Sequence, residues 1–259
     1  MRIWVFAAAA FLSLGPQCAA RAATSDGFLR PAVRAGDRFA FVFSKTISIS
    51  GADFDAYTGR ISGSSIETIA SVTPQAITEQ ESYRYDGRPA GVDQVVVRDH
   101  GATNCVDGKC APNDQTSAPL FNPLLWGAIP PDLTKTSTWR ATIPNAWEIG
   151  PAGEETVRVV LLDPADGLVT LERRGHGSGP SSDDAARSQI KIVSKGKTLM
   201  VKLVPGDASW EGYASVRHGV TVSDEIIVHR PVTLTAATGE TFQAEERVYT
   251  LFIQAPVAG

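Results

Sequence analysis

Four histidines, one Ser-x-x-Lys tetrad, four adjacent acid pairs and a spaced pair of cysteines are the groups in this chain that could do chemistry. His100, His176, His218 and His229 are scattered, with no His-Glu-x-x-His and no helical metal spacing between any two. A zinc site built from them would need convergence that their spacing does not impose. Ser188-Gln189-Ile190-Lys191 matches the penicillin-binding Ser-x-x-Lys pattern, but its serine enters a strand instead of opening a helix, and the companion motifs are absent. No Gly-x-Ser-x-Gly, Walker loop, Gly-x-Gly-x-x-Gly or calcium loop occurs. Glu154-Glu155, Asp183-Asp184, Asp224-Glu225 and Glu245-Glu246 are paired carboxylates. Neighbours on a strand point to opposite faces, so these pairs read as solvated strand starts and not as acid–base dyads. No catalytic residue, metal ligand or cofactor is assigned on this basis. An enzymatic alternative, a hydrolase or metal-dependent enzyme, would have to draw a dispersed site from His100, His176 and His218 with nearby acids.

The remaining feature is aromatic. The set is Trp126, Trp139, Trp147 and Trp210, with Tyr213 three residues beyond the last; Trp139, Trp147 and Trp210 lie near expected strand edges beside Pro or Gly. Such groups can wall a ligand pocket, or they can close the ends of a core. Cys105 and Cys110 flank Val106-Asp107-Gly108-Lys109, whose Asp-Gly favours a tight turn. The turn brings the two close enough for a structural disulfide, worth about 2 kcal/mol for so short a loop. A catalytic dithiol would favour a two-residue spacer.

The start of the chain bears on that disulfide. Met1-Arg2, the apolar run Ile3–Leu14, Gly15-Pro16 and Ala20-Arg21-Ala22 read as a secretory signal peptide over residues 1–22. The run is shorter than the roughly 20 residues a membrane helix needs, and no later run is longer. Gln17 and Pro16 before Cys18 fit a lipidation site poorly, so cleavage after Ala22 is expected to discard Cys18. A periplasmic or extracellular chain then keeps an even, bridgeable pair. The full chain has 24 basic and 28 acidic residues; removing Arg2 and Arg21, with no acid lost, takes the net charge from −4 to −6. That balance and the lack of a basic cluster argue against nucleic acid as a partner. Arg173-Arg174 is the only adjacent basic pair and reads as a solvated strand end.

These residues must be positioned by strands, because helical periodicity is scarce and period-two alternation is common. Phe39, Phe41 and Phe43 mark one strand with an aromatic face. Residues 61–72, 76–85 and 92–99 follow as further strands, separated by Gly and Pro. Residues 101–137 form a Pro-rich insertion whose Leu120–Trp126 patch is too apolar for a linker, so it should pack on the sheet, with one short helical turn. Hairpins then recur through turns such as Lys195-Gly196 and His218-Gly219, ending in a long strand over 242–253. Gly175, Gly177 and Gly179 suggest a bent or mobile end. The expected fold is all-β with little helix: one domain over 23–259, an antiparallel meander of about ten to twelve strands forming a strongly curved sheet or partial barrel.

Trp139, Trp147-Glu148-Ile149-Gly150-Pro151, Thr156–Asp163, Trp210-Glu211-Gly212-Tyr213 and Val222-Ser223-Asp224-Glu225 give the C-terminal half a rhythm. It resembles uncharacterised exported proteobacterial β proteins and, more loosely, periplasmic half-barrels of the lipoprotein-carrier type. The resemblance implies a curved sheet with an apolar concave side in a Gram-negative envelope, and supplies no functional residue. The leading expectation is a periplasmic, non-enzymatic protein binding an apolar or envelope-derived ligand, or a protein partner, with Trp126, Trp139, Trp147, Trp210 and Tyr213 as contact surface. An envelope assembly scaffold is a further alternative.

Overall fold

The computed structural model describes residues 26–86, 90–98, 101–106, 109–112, 118–120, 129–185 and 189–256. The proposed signal peptide, His100, Trp126 and Ser188 lie outside them. One four-residue helix, Asp26–Leu29, and one 3-10 turn, Ser182–Ala185, accompany fourteen strands among the described residues. The strands are β1 Arg38–Gly51, β2 Phe54–Val72, β3 Ile77–Tyr85, β4 Ala90–Arg98, β5 Gly101–Val106, β6 Lys109–Pro112 and β7 Thr138–Ile143. They continue with β8 Gly153–Asp163, β9 Leu168–Gly177, β10 Gln189–Ser194, β11 Lys197–Pro205, β12 Ala208–Arg217, β13 Val220–Ala236 and β14 Thr241–Ala255. The all-β expectation is met.

Every ladder is antiparallel, in the order β6-β5-β4-β3-β2-β1-β14-β13-β12-β9-β8-β7. The hairpin β10–β11 leaves this path and bridges β2 to β13. Six strands, β1, β2, β10, β11, β13 and β14, therefore close a barrel, and the others extend from it as two wings. Closure removes sheet edges that would otherwise stay unpaired.

Long strands make the branching possible. β13 pairs β12 through Val220–His229 and β11 through Val232–Ala236. Pro231 stands where the partner changes, and a residue with no N–H to donate suits that point. Its carbonyl still accepts from Gly206 N at 2.8 Å. β2 likewise meets β10 near its start and β3 from Gly63 onward. The wing β3–β6 is thus joined to the barrel through the β2–β3 ladder.

Alternation decides the core. Ala208, Trp210, Ala214 and Val216 of β12 point inward, as do Phe242, Ala244, Val248 and Phe252 of β14. One large cluster fills the barrel and the β7–β9 wing. A smaller one, with Val33, Phe41, Ile69, Val95, Leu120, Val220 and Phe252, sits where the β3–β6 wing departs.

The first part of region 101–137 forms β5 and β6, with Cys105 and Cys110 directly opposite and bridged, Cα atoms 4.1 Å apart. Two expectations are corrected. Arg173-Arg174 is not a solvated pair, since Arg173 is fully buried and only Arg174 faces water. The three acid pairs on strands do split between two faces and Asp183-Asp184 lies in the 3-10 turn, but Glu155, Asp184, Asp224 and Glu246 are buried and not solvated.

Candidate functional site

The inner face has a closed half and a more open part. In the closed half, residues 144–151 fold inward and place Trp147 against Trp210, ring centroids 5.6 Å apart edge to face. Trp147 holds the loop by backbone bonds with Gly150, and its indole N–H donates to Pro151 O at 3.0 Å. Gly175 allows this packing, because a Cβ there would lie 2.3 Å from the Trp210 indole. The alternating glycines are therefore a packing device, at least at Gly175, where a bent or mobile end was expected.

Buried ion pairs stitch the same half together. Arg173 Nε donates to Glu155 at 3.0 Å, Trp210 Nε1 donates to the same carboxylate at 3.1 Å, and the guanidinium lies 5.7 Å from the Trp147 ring centre. Arg230 donates from both terminal nitrogens to Asp184, at 2.7 and 2.6 Å, and from Nε to Glu246. Lys45 Nζ bonds Glu148 and Asp183 at 2.5 Å each. Burial opposes its charge, yet the two carboxylates outweigh that and hold its pKa above the ordinary lysine value. The 3-10 turn Ser182–Ala185 is thereby tied to β1 and β13.

The more open part is the inner face of β1, β2 and β3 at the level of Phe43 and Tyr85. Phe43, Tyr83 and Tyr85 stand there half-exposed, Phe43 and Tyr83 each edge-on to Tyr85 at 5.2 and 5.6 Å. Gly63 lies between Phe43 and Tyr85 in register, leaving the rings room to meet. Lys45 follows Phe43 on the same face of β1, and the Glu148 carboxylate reaches Tyr85 electrostatically. Burial and that carboxylate raise the Tyr85 pKa.

Below the rings is a set of carboxyls. Glu67 on β2 is in register with Glu81 on β3, and Glu79 follows on the same face. Glu67 accepts from Ser65 Oγ at 2.9 Å, but no N–H or hydroxyl donor reaches its second oxygen or either oxygen of buried Glu79. Burial, then Glu81, pushes Glu79 up to about 8; burial, then Glu81 and Glu79, pushes Glu67 up to about 10.

Of the residues expected to form a ligand surface, Trp139, Trp147 and Trp210 are core, each under 9% exposed. Tyr213 is exposed on the opposite face from Trp210, its hydroxyl donating to Glu172 at 3.1 Å. The structure therefore brings Trp147 and Trp210 together, but not with Tyr213, because three residues along a strand reverse the face. Sequence reasoning missed Phe43, Tyr83 and Tyr85, although the Phe39-x-Phe41-x-Phe43 alternation was a signal for the first. His176, His218 and His229 are exposed. His176 and His229 flank Ser209 in register on the outer face, while His218 occupies a distant turn at φ 49°. No group of three or more His, Cys, Asp or Glu among the described residues is arranged to hold a metal ion. No described helix is long and apolar enough to cross a membrane.

No family model matches the chain, and no curated protein is similar to it. A solved structure from Nostoc punctiforme, a protein of unknown function in the DUF3598 family, is 12% identical and covers 81% of this chain and 94% of its own. Its TM-score of 0.13 is too low to carry an argument about fold or function.

Proposed function

We propose that this chain is an exported, periplasmic, non-enzymatic protein that binds an apolar or amphipathic envelope-derived ligand on the inner face of β1–β3. One observation carries the reading. The aromatic rings of Phe43, Tyr83 and Tyr85 meet one another while half-exposed on the inner face, where Phe39 and Tyr57 are also half-buried and Phe41, Trp147, Trp210 and Phe242 are buried. Half-exposed inward rings beside one lysine and several carboxyls match the make-up of ligand sites, with apolar walls and few polar groups. The wall is thus a different aromatic set from the tryptophans expected from sequence.

The test is native mass spectrometry of protein purified from periplasm, followed by titration with the neutral fluorophore N-phenyl-1-naphthylamine. Wild type should retain lipid or bind the dye, and Tyr83→Ala or Phe43→Ala should weaken dye binding at least fivefold with the fold intact by circular dichroism. A wild-type protein that holds no lipid and takes up no dye refutes the reading.

A protein partner on the outer face is the second reading. Val42 and Ile253 are direct neighbours there and Ile66 is diagonal to Val42, while Val92 lies two strands beyond Ile66 across Ser82, all four exposed. Contiguous exposed apolar side chains favour a contact surface. Val42→Glu should abolish co-purification of envelope proteins while leaving dye binding unchanged; retention of every co-purifying protein would sink it.

A further inference from the structure

The joint between the barrel and the β3–β6 wing carries carboxyl against carboxyl. Glu67 on β2 and Glu81 on β3 are direct cross-strand neighbours, and Glu79 lies one inward position along β3. Like charges directly opposite on neighbouring strands destabilise their pairing. Glu67 and Glu79 are buried, and no N–H or hydroxyl donor reaches three of their four oxygens; the Glu81 carboxyl lies within bonding reach of Glu67, a bond that needs a proton on one of the two. A buried carboxylate with no donor is far costlier than a buried neutral acid.

No cation acts on Glu79, and none is among the groups acting most strongly on Glu67. From β1 the trio meets Phe39 and Phe41; from β2, Ser65, which donates to Glu67; and from β3, Tyr83. β4 contributes Val95, and Asp93 holds the register position opposite Glu81. Val33, Leu120, Val220 and Phe252 belong to the covering cluster. Farther along the inner face, Lys45 is engaged by Glu148 and Asp183, and the next acid, Asp224, sits on β13. The groups acting on Glu79 and most strongly on Glu67 are burial and neighbouring carboxyls.

We propose that Glu67, Glu79 and Glu81 form a proton-operated latch at the β2–β3 joint, closed when protonated, whose ionisation releases the β3–β6 wing and uncovers the concave face. Among the described residues this is the wing's one strand ladder to the barrel, beside the packing of Val95 in the small core and the bonds of residues 118–120 to β13, so weakening it loosens Ile77–Arg98 without unfolding the closed half. The functional meaning of that uncovering, ligand exchange, rests on the ligand-binding reading above. Closed, Glu67 and Glu79 titrate well above their ordinary value; open, in water, they titrate at it. Opening therefore becomes more favourable as pH rises from about 4.5 towards 8, by up to about tenfold per pH unit for each carboxyl.

Amide hydrogen exchange of the full mature chain between pH 5 and 8, corrected for intrinsic rates, tests this. Peptides covering Ile77–Arg98 should lose protection by at least a hundredfold across the range, while peptides in β9 and β13 keep theirs. Glu67→Gln/Glu79→Gln, which removes the charges at nearly constant shape, should flatten the dependence. Equal protection changes in β3–β4 and β9, or an unchanged slope in the double variant, overturns the latch. N-phenyl-1-naphthylamine added at pH 8 separates the two ideas. Dye uptake with flat exchange removes the latch and keeps the ligand reading. Opening without dye uptake keeps the latch and removes the ligand reading.

Discussion

Replacing Glu79 with Gln should make the protein more stable at neutral pH, and the gain should vanish in acid. The Glu79 carboxyl has an ordinary value of 4.5 and is pushed up to about 8 by burial, with Glu81 adding to it. A raised acid pKa means the folded state holds its proton where the unfolded chain has lost it. Stability is therefore full below pH 4.5 and falls as pH climbs towards 8, the reverse of a salt-bridged carboxylate. Between 4.5 and pH 7, at about 1.4 kcal/mol per pH unit, the loss reaches about 3 kcal/mol. Glu79→Gln cannot ionise, so it loses this slope. Its amide also lacks partners, a cost that is the same at every pH and is read at pH 4.5. The measurement is urea unfolding of both proteins at pH 4.5, 6, 7 and 8. The quantity that matters is the change in their stability difference between pH 4.5 and 7, which should favour the variant by about 2–3 kcal/mol. In thermal melts this is about 4–12 °C, given about 2–4 °C per kcal/mol for a chain of this size. A stability difference that is constant with pH would show that the Glu79 carboxyl finds a compensating donor, and the reasoning would be wrong.

Three other perturbations probe the closed half and the wing. Arg173→Met strands Glu155 without its cation and should cost about 3–5 kcal/mol in urea unfolding, while Arg173→Met/Glu155→Leu should recover most of the loss. A double variant no more stable than the single one would contradict this. Gly175→Ala forces a methyl to within 2.3 Å of the Trp210 indole and should cost about 1–3 kcal/mol, with a red shift of tryptophan emission as the indole is displaced. Cys105→Ala/Cys110→Ala removes a bridge closing a short loop and should cost about 2 kcal/mol or less, with faster hydrogen exchange confined to β4–β6.

How far the chain could be read follows from the range of each signal. Period-two alternation is local, so Phe39, Phe41 and Phe43 announced an inward aromatic row, and Lys195-Gly196 and His218-Gly219 announced turns that the structure places at left-handed φ. The acid pairs were legible in one respect only. Alternation told that Glu154 and Glu155 face opposite ways, but not that Arg173 would meet Glu155 from the neighbouring strand. Ion pairs of that kind join residues far apart in sequence, and a buried arginine looks in sequence like a solvated one. Trp147 illustrates the same limit. Its flanking prolines marked a loop, while its burial against Trp210 depends on the absence of a side chain at Gly175.

By itself the amino-acid sequence determined the strand-rich class, the positions of many turns, the Cys105–Cys110 pairing and the alternation of inward and outward side chains. Each follows from backbone preferences acting over a few residues. Only the tertiary structure decided where β13 and β2 change partners, that β10 and β11 close a six-stranded barrel, and which aromatics stay half-exposed. It alone set Glu67 opposite Glu81 at the root of a wing. Register across distant strands is the physical reason: it is fixed by the packing of the whole sheet, and no short stretch of chain encodes it.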